Sequence, residues 1–453
     1  MAAAERKSLK QRALRAGAWS AAGYGLSQVI RLGSNLIMTR LLVPEMFGVM
    51  AIATMVTVVL GLLSDIGLRP SIVQSRRGED PVFLDSAWIL QIARGFALWL
   101  AAALLSVALY AANMSGLLPG KSVYASPVLP LVIVFSSFSA VISGFQSMNM
   151  ATAQRNFDQK RLNQIALFGQ LAGLVVMIAI GVATRSIWAL VAGGLVSSLV
   201  TTVLSHTWMS GHRNRFRWER EALRELIGFG KWVFVSSGVY VLAASGDRIL
   251  LGAFVDAHVL GLYAIAVLIV GAIEGGLTRL FSIVSLPALS EIARNEPARL
   301  REVYYRMRIP GDLLLLFAAG LLFGAGQLVI DVLYDRRYAE AGGMLQVLGL
   351  SLFTVRFGVA HQIYLALARP RNLAIINAVR CVALYALVPL CYFAAGTSAA
   401  IWAVALHALA TVPFIYFFNA RLGLIDVRRE LLVLPAFLAG YVFGLGLIRL
   451  WPW

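Results

Sequence analysis

Long apolar runs separated by short polar segments make up most of this chain. A membrane-spanning helix needs about 20 mostly apolar residues. Stretches of that kind lie at about 16–41, 46–64, 84–111, 127–148, 163–183, 187–209, 232–254, 261–286, 309–332, 343–367, 373–395, 399–419 and 431–450. They are continuous and rich in Leu, Ala and Gly rather than alternating with period two, which favours helices over strands. The pattern therefore predicts an all-α polytopic membrane protein with about 13 (12–14) transmembrane helices.

Composition and charge agree with a membrane protein. Of the 453 residues, 59% are hydrophobic and 13% are charged, about half the charged share of a soluble domain, which is roughly 25%. The net charge is +17, but no soluble domain is left over to bind nucleic acid. With a cytoplasmic N-terminus, 27 of the 39 Lys and Arg residues fall in inner segments, six in outer segments and six inside helices. This is the positive-inside pattern, and it accounts for the charge.

The chain divides into two halves around its most basic loop, which contains Arg213, Arg215 and Arg217. The segment Phe47–Ala53 (FGVMAIA) near the start of the second span matches Leu260–Ala266 (LGLYAIA) near the start of the eighth. Six spans per half is an even number, so the repeat is parallel, and such folds place a site between the halves. We predict two pseudo-symmetric six-helix bundles around a central cavity. Their bounds are 1–211 and 232–420, with a basic cytoplasmic linker at 212–231 and an extra helix at 421–453.

The segment 287–308 places Leu300, Tyr304 and Met307 among arginines. This mixture predicts an amphipathic helix on the inner surface, with a solvated loop as the alternative. Arg308 is accordingly counted with the inner, solvated arginines.

Ionisable residues inside the predicted spans are the strongest functional signal. The set is Arg31, Arg94, Asp247, Arg248, Glu274, Arg279, Arg356 and Arg380. Each central Arg or Asp costs roughly 2.5–3.5 kcal/mol in lipid, so eight facing lipid would cost on the order of 20–28 kcal/mol. That exceeds a typical folding stability, so most must face water or one another. Two acids cannot neutralise six arginines, which predicts a cation-lined cavity for a phosphate, a diphosphate or an acidic sugar. Structural ion pairs between helices are the alternative.

Depth within the span separates these arginines. Arg31 and Arg356 lie near the middle of their spans, and Arg94 and Arg279 are intermediate. Arg380 lies close enough to the inner end of its helix to snorkel, and Arg248 is close to an outer end. The first four are therefore the better candidates for a buried anion site.

Asp247 and Glu274 suggest ion coupling. A carboxylic acid inside a span can take up and release a proton or bind a sodium ion. The alternative is that each is a permanent partner of Arg248 or Arg279. No other cofactor is predicted.

Motifs for enzymatic chemistry and for metal binding are absent from the sequence. Its two cysteines, Cys381 and Cys391, share one apolar stretch, and its five histidines have no ligand spacing. There is no Walker-type phosphate loop and no nucleophile elbow on a loop. No outer loop is large enough to carry the catalytic groups of an enzyme acting on lipid-linked sugars. An enzyme is therefore the weaker class.

Short motifs in order along the chain resemble one membrane protein family. They are Trp19 with the polar first helix, Arg40–Gly48 (RLLVPEMFG), Ser64–Leu68 (SDIGL), Gly246–Gly252 (GDRILLG), Gly261–Ala264 (GLYA) and Leu286–Ser290 (LPALS). They resemble the polysaccharide-transporter branch of the multidrug/oligosaccharidyl-lipid/polysaccharide exporter (MOP) superfamily, the Wzx-type flippases.

The resemblance implies twelve or fourteen helices in two bundles around a cation-lined cavity. It also implies transport of undecaprenyl-diphosphate-linked oligosaccharides to the outer leaflet. Arg31, Arg94, Arg279 and Arg356 match that cavity by type and depth only. Asp65 and Asp247 lie in the matching segments, which makes Asp65 a third coupling candidate.

The sequence thus predicts a bacterial inner-membrane flippase for lipid-linked oligosaccharide repeat units, working by alternating access and driven by an ion gradient. The expected partners are the lipid-linked oligosaccharide, the bilayer, a polysaccharide polymerase and a chain-length regulator, without nucleic acid. A peptidoglycan-precursor flippase or a small-molecule exporter is the alternative within transporters. A membrane enzyme that polymerises or ligates lipid-linked sugars is the alternative from another class, and an assembly scaffold is a third.

Overall fold

The computed structural model describes residues 2–64, 67–75, 77–367 and 369–450. Within those ranges, the description excludes the side chains of residues 2–14, 74, 228–241, 244, 279–284 and 286–288. All regular elements in the described ranges are helices. The chain forms two compact units, Met1–Ser245 and Gly246–Trp453. The prediction of an all-α fold is confirmed.

In the described residues, the first unit has nine α-helices, of which the last continues into the second unit. They are α1 (Ala2–Leu41), α2 (Pro44–Leu63), α3 (Leu68–Gln74), α4 (Pro81–Met114), α5 (Leu129–Gly144), α6 (Asn149–Arg155), α7 (Gln159–Thr184), α8 (Trp188–Thr207) and α9 (Arg220–Phe254). A 3₁₀ turn lies at Val123–Ala125. Asp80 and Asp158 begin α4 and α7 by accepting backbone N–H bonds, as helix caps do.

The described part of the second unit contains nine further α-helices. They are α10 (Ala257–Asn295), α11 (Leu300–Leu333), α12 (Ala341–Gly349), α13 (Leu352–Val355), α14 (Gly358–Ala366), α15 (Pro370–Leu406), α16 (Val412–Arg421), α17 (Val427–Leu432) and α18 (Pro435–Leu450). Three 3₁₀ turns lie at Pro297–Arg299, Arg336–Tyr338 and His407–Thr411. Asp256 and Asp426 cap α10 and α17 in the same way as the caps of the first unit.

Nine helical segments in the described ranges are long and apolar enough to cross a membrane, or ten if the bent pair α5 and α6 is one span. One segment, Pro370–Arg421, has 52 residues and is about 78 Å long at 1.5 Å per residue, more than twice the bilayer core. It kinks at Ala395 and Gly396, where Gly396 has φ 78°, between the spans predicted at 373–395 and 399–419. The multi-pass prediction is confirmed, and the count of thirteen stays a prediction.

The internal repeat has the same burial pattern in both units. Phe47, Val49, Ile52 and Ala53 are buried on α2, and their counterparts 213 residues later are buried on α10: Leu260, Leu262, Ile265 and Ala266. Each segment begins three residues after the first residue of its helix. The same positions therefore face the interior of each unit, as expected if the two segments derive from a duplication.

The segment 421–453, predicted as one extra helix, contains the separate helices α17 and α18 in its described part. Helix α18 packs against α11 through a glycine stripe. Gly320 and Gly324 on α11 face Gly440 and Gly444 on α18. A Cβ at Gly324 would lie 2.9 Å from the Tyr441 carbonyl oxygen, and one at Gly444 would lie 3.1 Å from the Leu321 oxygen. Small residues four apart on both helices permit this close approach in membranes.

The structure differs from the sequence prediction in two segments, 287–308 and 212–231. The predicted surface helix at 287–308 does not exist as a separate element, because 287–295 ends α10 and 300–308 begins α11. Tyr304, with 0% exposure, and Arg308, with 1%, are buried, since α11 continues its inward-facing stripe through them. The predicted linker at 212–231 is helical from Arg220 onward.

Candidate functional site

A cavity of 360 Å³ in the first unit is lined by two arginines, Arg69 on α3 and Arg94 on α4. Gln91, Ser143 and Gln146 also line it, and we call these five residues the arginine pocket. None of the described residues that line the cavity carries a carboxylate. Guanidinium groups bind phosphate oxygens through paired N–H donors, so the pocket has the chemistry for a phosphorylated ligand.

The pocket forms where a helix breaks. Between α5 and α6 the chain bends by 69°, which removes the helical partners of several backbone carbonyls. The Gln91 side chain donates to three of them, Ser143 O at 3.3 Å, Gly144 O at 2.9 Å and Gln146 O at 3.2 Å. Irregular backbone inside a membrane is tolerated where it lines a cavity or is buried in protein. Broken spans of this kind are typical of transporter binding sites.

Both arginines donate hydrogen bonds to groups beside the cavity. Arg94 Nη2 donates to Gly61 O at 2.6 Å and its Nε donates to Ser64 Oγ at 3.1 Å, so this side chain also caps the C-terminal end of α2. Arg69 Nη2 donates to Gln146 Oε1 at 3.2 Å. These hydrogen bonds fix the positions of the two guanidinium groups beside the cavity.

The second unit contains a buried ion cluster of two arginines and two carboxylates: Arg308, Asp312, Arg356 and Glu430. Their exposures are 1%, 3%, 8% and 9%. Arg308 binds Glu430 through two N–H groups, one at 2.9 Å, and its Nε lies 2.9 Å from Asp312 Oδ2. Arg356 lies 3.7 Å from Asp312 and 3.6 Å from Glu430. The cluster is formally neutral.

Aromatic residues complete the cluster. Tyr305 and Tyr416 donate hydroxyl hydrogen bonds to Glu430 at 2.9 and 3.0 Å. The Phe357 ring lies 4.8 Å from the guanidinium carbon of Arg308 and 4.7 Å from that of Arg356, which are cation–π distances. Arg356 follows α13 at another helix break. The cluster thus holds α11, that break and α17 together.

The sequence analysis missed three members of this cluster. Its prediction that only two membrane acids face the arginines is wrong, because Asp312 and Glu430 are buried as well. Arg308 was counted as solvated, yet it lies on α11 four residues before Asp312. Opposite charges spaced i, i+4 are a recognised helical pair, and that spacing was the available signal.

The structure places the other predicted anion-site residues in different surroundings. Arg31 is exposed on α1, Arg248 is half-buried on α9, and Arg380 is exposed on α15 with its Nε 3.5 Å from His407 Nε2. The Arg279 side chain lies outside the description. Among the predicted residues whose side chains are described, Arg94 lines the arginine pocket and Arg356 belongs to the ion cluster. The anion-binding roles of all six stay predictions.

The ion-coupling candidates in the second unit are partly buried. Asp247 accepts a short hydrogen bond from the hydroxyl of Tyr263, a buried residue on α10. Glu274, on the same helix, lies within electrostatic range of Arg380. Asp65 lies outside the described residues. No group of three or more possible metal ligands occurs in the described part of the chain.

Comparisons with known proteins agree with this architecture. Residues 37–343 match the family described as "Polysaccharide biosynthesis protein". A relative from Klebsiella pneumoniae, described as an uncharacterized membrane protein in the cps region, is 23% identical over 304 residues. The match covers 66% of this chain and 60% of that protein's length.

Solved transporter structures have a similar fold. An inward closed structure of the lipid II flippase MurJ has a TM-score of 0.71 at 14% identity, covering 95% of this chain and 92% of that one. An inward-facing MATE multidrug transporter has a TM-score of 0.67 at 11% identity, with 88% and 94% covered. A MOP superfamily transporter from Pyrococcus furiosus has a TM-score of 0.58 at 14% identity, with 90% and 95% covered. The chain belongs to the polysaccharide biosynthesis protein family, as a multi-pass membrane protein with the transporter fold of the MOP superfamily.

Proposed function

We propose that this protein is a flippase that moves polyprenyl-diphosphate-linked oligosaccharide repeat units across the inner membrane for exopolysaccharide or lipopolysaccharide synthesis. The observation that carries the proposal is the arginine pocket, in which two guanidinium groups line 360 Å³ beside a broken span. Ligand pockets commonly have volumes of about 300–1,000 Å³, so a diphosphate with its first sugar fits. A pocket lined by two guanidinium groups suits an anionic lipid headgroup better than a cationic drug.

The transport cycle follows from the chemistry of such a substrate. Its diphosphate and sugars need a polar path, whereas its polyprenyl chain is stable in lipid. Arg69 and Arg94 bind the diphosphate while the tail stays in the bilayer, and alternating access exposes the headgroup to the other side. No bond of the substrate is broken, so the protein acts as a transporter rather than an enzyme. Its N-terminus lies in the cytoplasm.

An ion gradient supplies the energy in this proposal. Asp247 is the better-supported coupling acid, because it is held by Tyr263 on the neighbouring helix α10. Loading the carboxylate with a proton or a sodium ion changes its hydrogen bond to Tyr263, which links ion binding to the packing of α9 against α10. Glu274 is the second candidate. Asp247→Asn should abolish the response of transport to an imposed ion gradient, whereas an unchanged response would exclude Asp247.

Deletion of the gene tests the class of activity. A flippase mutant accumulates single lipid-linked repeat units on the inner leaflet and makes no polymer. Loss of a polymerase or ligase instead leaves repeat units that reach the outer leaflet, and loss of a chain-length partner changes polymer length. Repeat units found on the outer leaflet of the deletion strain would contradict the proposal.

Complementation of that strain tests the arginine pocket. Arg94→Gln should fail to restore polymer, because the neutral amide loses most of the attraction for a diphosphate. Since Arg94 also caps α2, Ser64→Ala is the matched control: it removes one bond of the cap and keeps the guanidinium. Ser64→Ala should restore polymer. Equal failure of both variants would assign Arg94 to helix capping alone.

A flippase for the lipid-linked peptidoglycan precursor is the second candidate, favoured by the similarity to the fold of a lipid II flippase. Both substrates carry a polyprenyl diphosphate, so the arginine pocket fits either. Expression in cells depleted of their own precursor flippase distinguishes them. We expect no growth rescue, and rescue would favour the precursor.

A further inference from the structure

The basic loop of the first unit is a fixed strap, comprising His212–Glu219. Asp85, buried on α4, accepts two hydrogen bonds from it: one from the His212 ring Nε2 at 2.7 Å and one from the Arg215 backbone N–H at 2.9 Å. At the end of the strap, the Glu219 backbone N–H donates to Ser86 Oγ at 2.9 Å. Buried polar groups of α4 therefore hold the strap backbone at several points.

A second set of bonds joins the strap to the break between α5 and α6. Asn214 Oδ1 accepts hydrogen bonds from Ser147 Oγ and from the Met148 backbone N–H, both at 3.1 Å. Asn149 Nδ2 donates to the His212 carbonyl at 3.0 Å. With both ends and the middle bound, the strap presents a defined surface rather than a solvated loop.

The side chains of the strap that point outward are basic and aromatic. Arg213, Arg215 and Arg217 are exposed, and Phe216 and Trp218 between and beside them are 75% and 65% exposed. The strap begins five residues after Thr207, the end of α8, which is long and apolar enough to cross a membrane. Arginine paired with exposed aromatic residues is the composition of a membrane interface.

Beside the strap lies a polar cavity of 240 Å³, lined by Asn149, Thr207, Ser210, His212 and Arg213 among others. At roughly 30 Å³ per water, this space holds about eight waters, enough for a phosphate with its attached glycerol. Arg161, which is paired with Asp158 at 3.5 Å, donates to Ser210 Oγ at 3.1 Å at the rim of the cavity. The cavity is separate from the arginine pocket, with which it shares no lining residue.

We propose that the strap and its cavity bind the headgroup of an anionic phospholipid of the surrounding membrane. The phosphate of the lipid lies in the cavity, next to Arg213. Arg215 and Arg217 interact with neighbouring anionic headgroups. Phe216 and Trp218 insert beside the acyl chains. The site does not depend on the transported substrate. It anchors the first unit to the headgroup layer.

Lipid binding to the purified full-length protein tests the proposal. Native mass spectrometry in detergent would compare dioleoyl phosphatidylglycerol with dioleoyl phosphatidylcholine. The parent should retain phosphatidylglycerol preferentially. Arg213→Gln with Arg215→Gln and Arg217→Gln should weaken that retention about 100-fold, since each basic residue near an anionic surface contributes about fivefold. Phe216→Ser with Trp218→Ser should weaken retention of the whole lipid as well.

The control removes three exposed cations elsewhere, through Lys121→Gln, Arg185→Gln and Arg336→Gln. This variant has the same net charge as the strap variant and should retain the lipid like the parent. Equal losses in both triple variants, or equal retention of the two lipids by the parent, would overturn the proposal. Displacement of the lipid by millimolar inorganic phosphate would assign the cavity to free phosphate instead. The strap substitutions leave the backbone bonds and Asp85 intact, and a melting curve for each variant confirms folding.

Discussion

The ion cluster of the second unit gives a prediction whose size follows from its geometry. Arg308 and Glu430 form a two-bonded pair with almost no exposure to solvent. Glu430→Gln removes one charge and leaves two arginines facing Asp312. Arg308→Met removes the opposite charge and leaves two carboxylates facing Arg356. Each single variant therefore buries an uncompensated charge.

Breaking a buried pair from one side costs about 3–5 kcal/mol, mostly because the remaining charge loses its partner. The double variant Arg308→Met with Glu430→Gln leaves a neutral pair, Arg356 and Asp312. Its glutamine can accept a hydrogen bond from one of the hydroxyls of Tyr305 and Tyr416 through Oε1 and donate to the other through Nε2. Replacing a buried pair by neutral groups of similar shape is often close to neutral in stability. The double variant should therefore be more stable than either single variant. This order requires a coupling larger than the loss of either single variant, hence more than about 3 kcal/mol.

Unfolding of the four proteins in mixed micelles, followed by near-UV circular dichroism, measures the three differences in the free energy of unfolding. The expected order of stability is parent, double variant, then the two single variants. A double variant whose loss equals the sum of the single losses would refute the reasoning, because Arg308 and Glu430 would then contribute independently.

Three further predictions concern other parts of the molecule. The Arg77 guanidinium, by hydrogen bonding, holds the pKa of Asp80 below its usual value of 3.8. The ionised carboxylate therefore stabilises the fold above that pH, and this stabilisation is lost as the pH falls through the native pKa. The melting temperatures of Asp80→Asn and the parent should converge below about pH 3.8, and a constant gap between them would contradict the assignment. Gly440→Ala places a methyl group against the Phe317 carbonyl and should lower the free energy of unfolding by about 1–3 kcal/mol. Gly343→Ala, in open space on α12, should raise it by up to about 1 kcal/mol. Equal melting temperatures of the two variants would exclude the contact at Gly440. Asp85→Ala removes two bonds of about 1.5–3 kcal/mol each from the strap and should speed tryptic cleavage there at least tenfold, while unchanged cleavage would show that the strap is held elsewhere.

The sequence predicts the helices well because their signal is local. A run of about 20 apolar residues must be helical in lipid, where every backbone group needs an internal partner. Several helix ends were not predicted, because helices continue into polar residues: α9 begins at Arg220 against a predicted start at 232, and α11 begins at Leu300 against 309. The break at Gly396 could also be predicted, since a mainly apolar segment of 52 residues is too long for one crossing. The break between α5 and α6 was not, because 127–148 reads as one span and only packing around Gln91 shows where it ends.

The sites were less predictable, because charge pairing depends on contacts distant in sequence. Glu430 pairs with Arg308 across 122 residues, and nothing near either residue indicates the other. Arg69 lies in a segment that reads as a solvated inner loop, yet the left-handed backbone at Gly67 (φ 62°) begins a short helix that brings it to the arginine pocket. Arg94 was recognisable because a lone arginine inside an apolar run is costly wherever it faces lipid.

Transport in reconstituted vesicles tests the central claim most directly. A fluorescent polyprenyl-diphosphate oligosaccharide placed in one leaflet becomes accessible to a membrane-impermeant quencher when it is flipped. We predict translocation by the parent and by Arg185→Gln, an exposed-arginine control. The combined variant Arg69→Gln with Arg94→Gln should flip at least tenfold more slowly, with normal folding. Translocation by that variant at the rate of the parent would contradict the role of the arginine pocket.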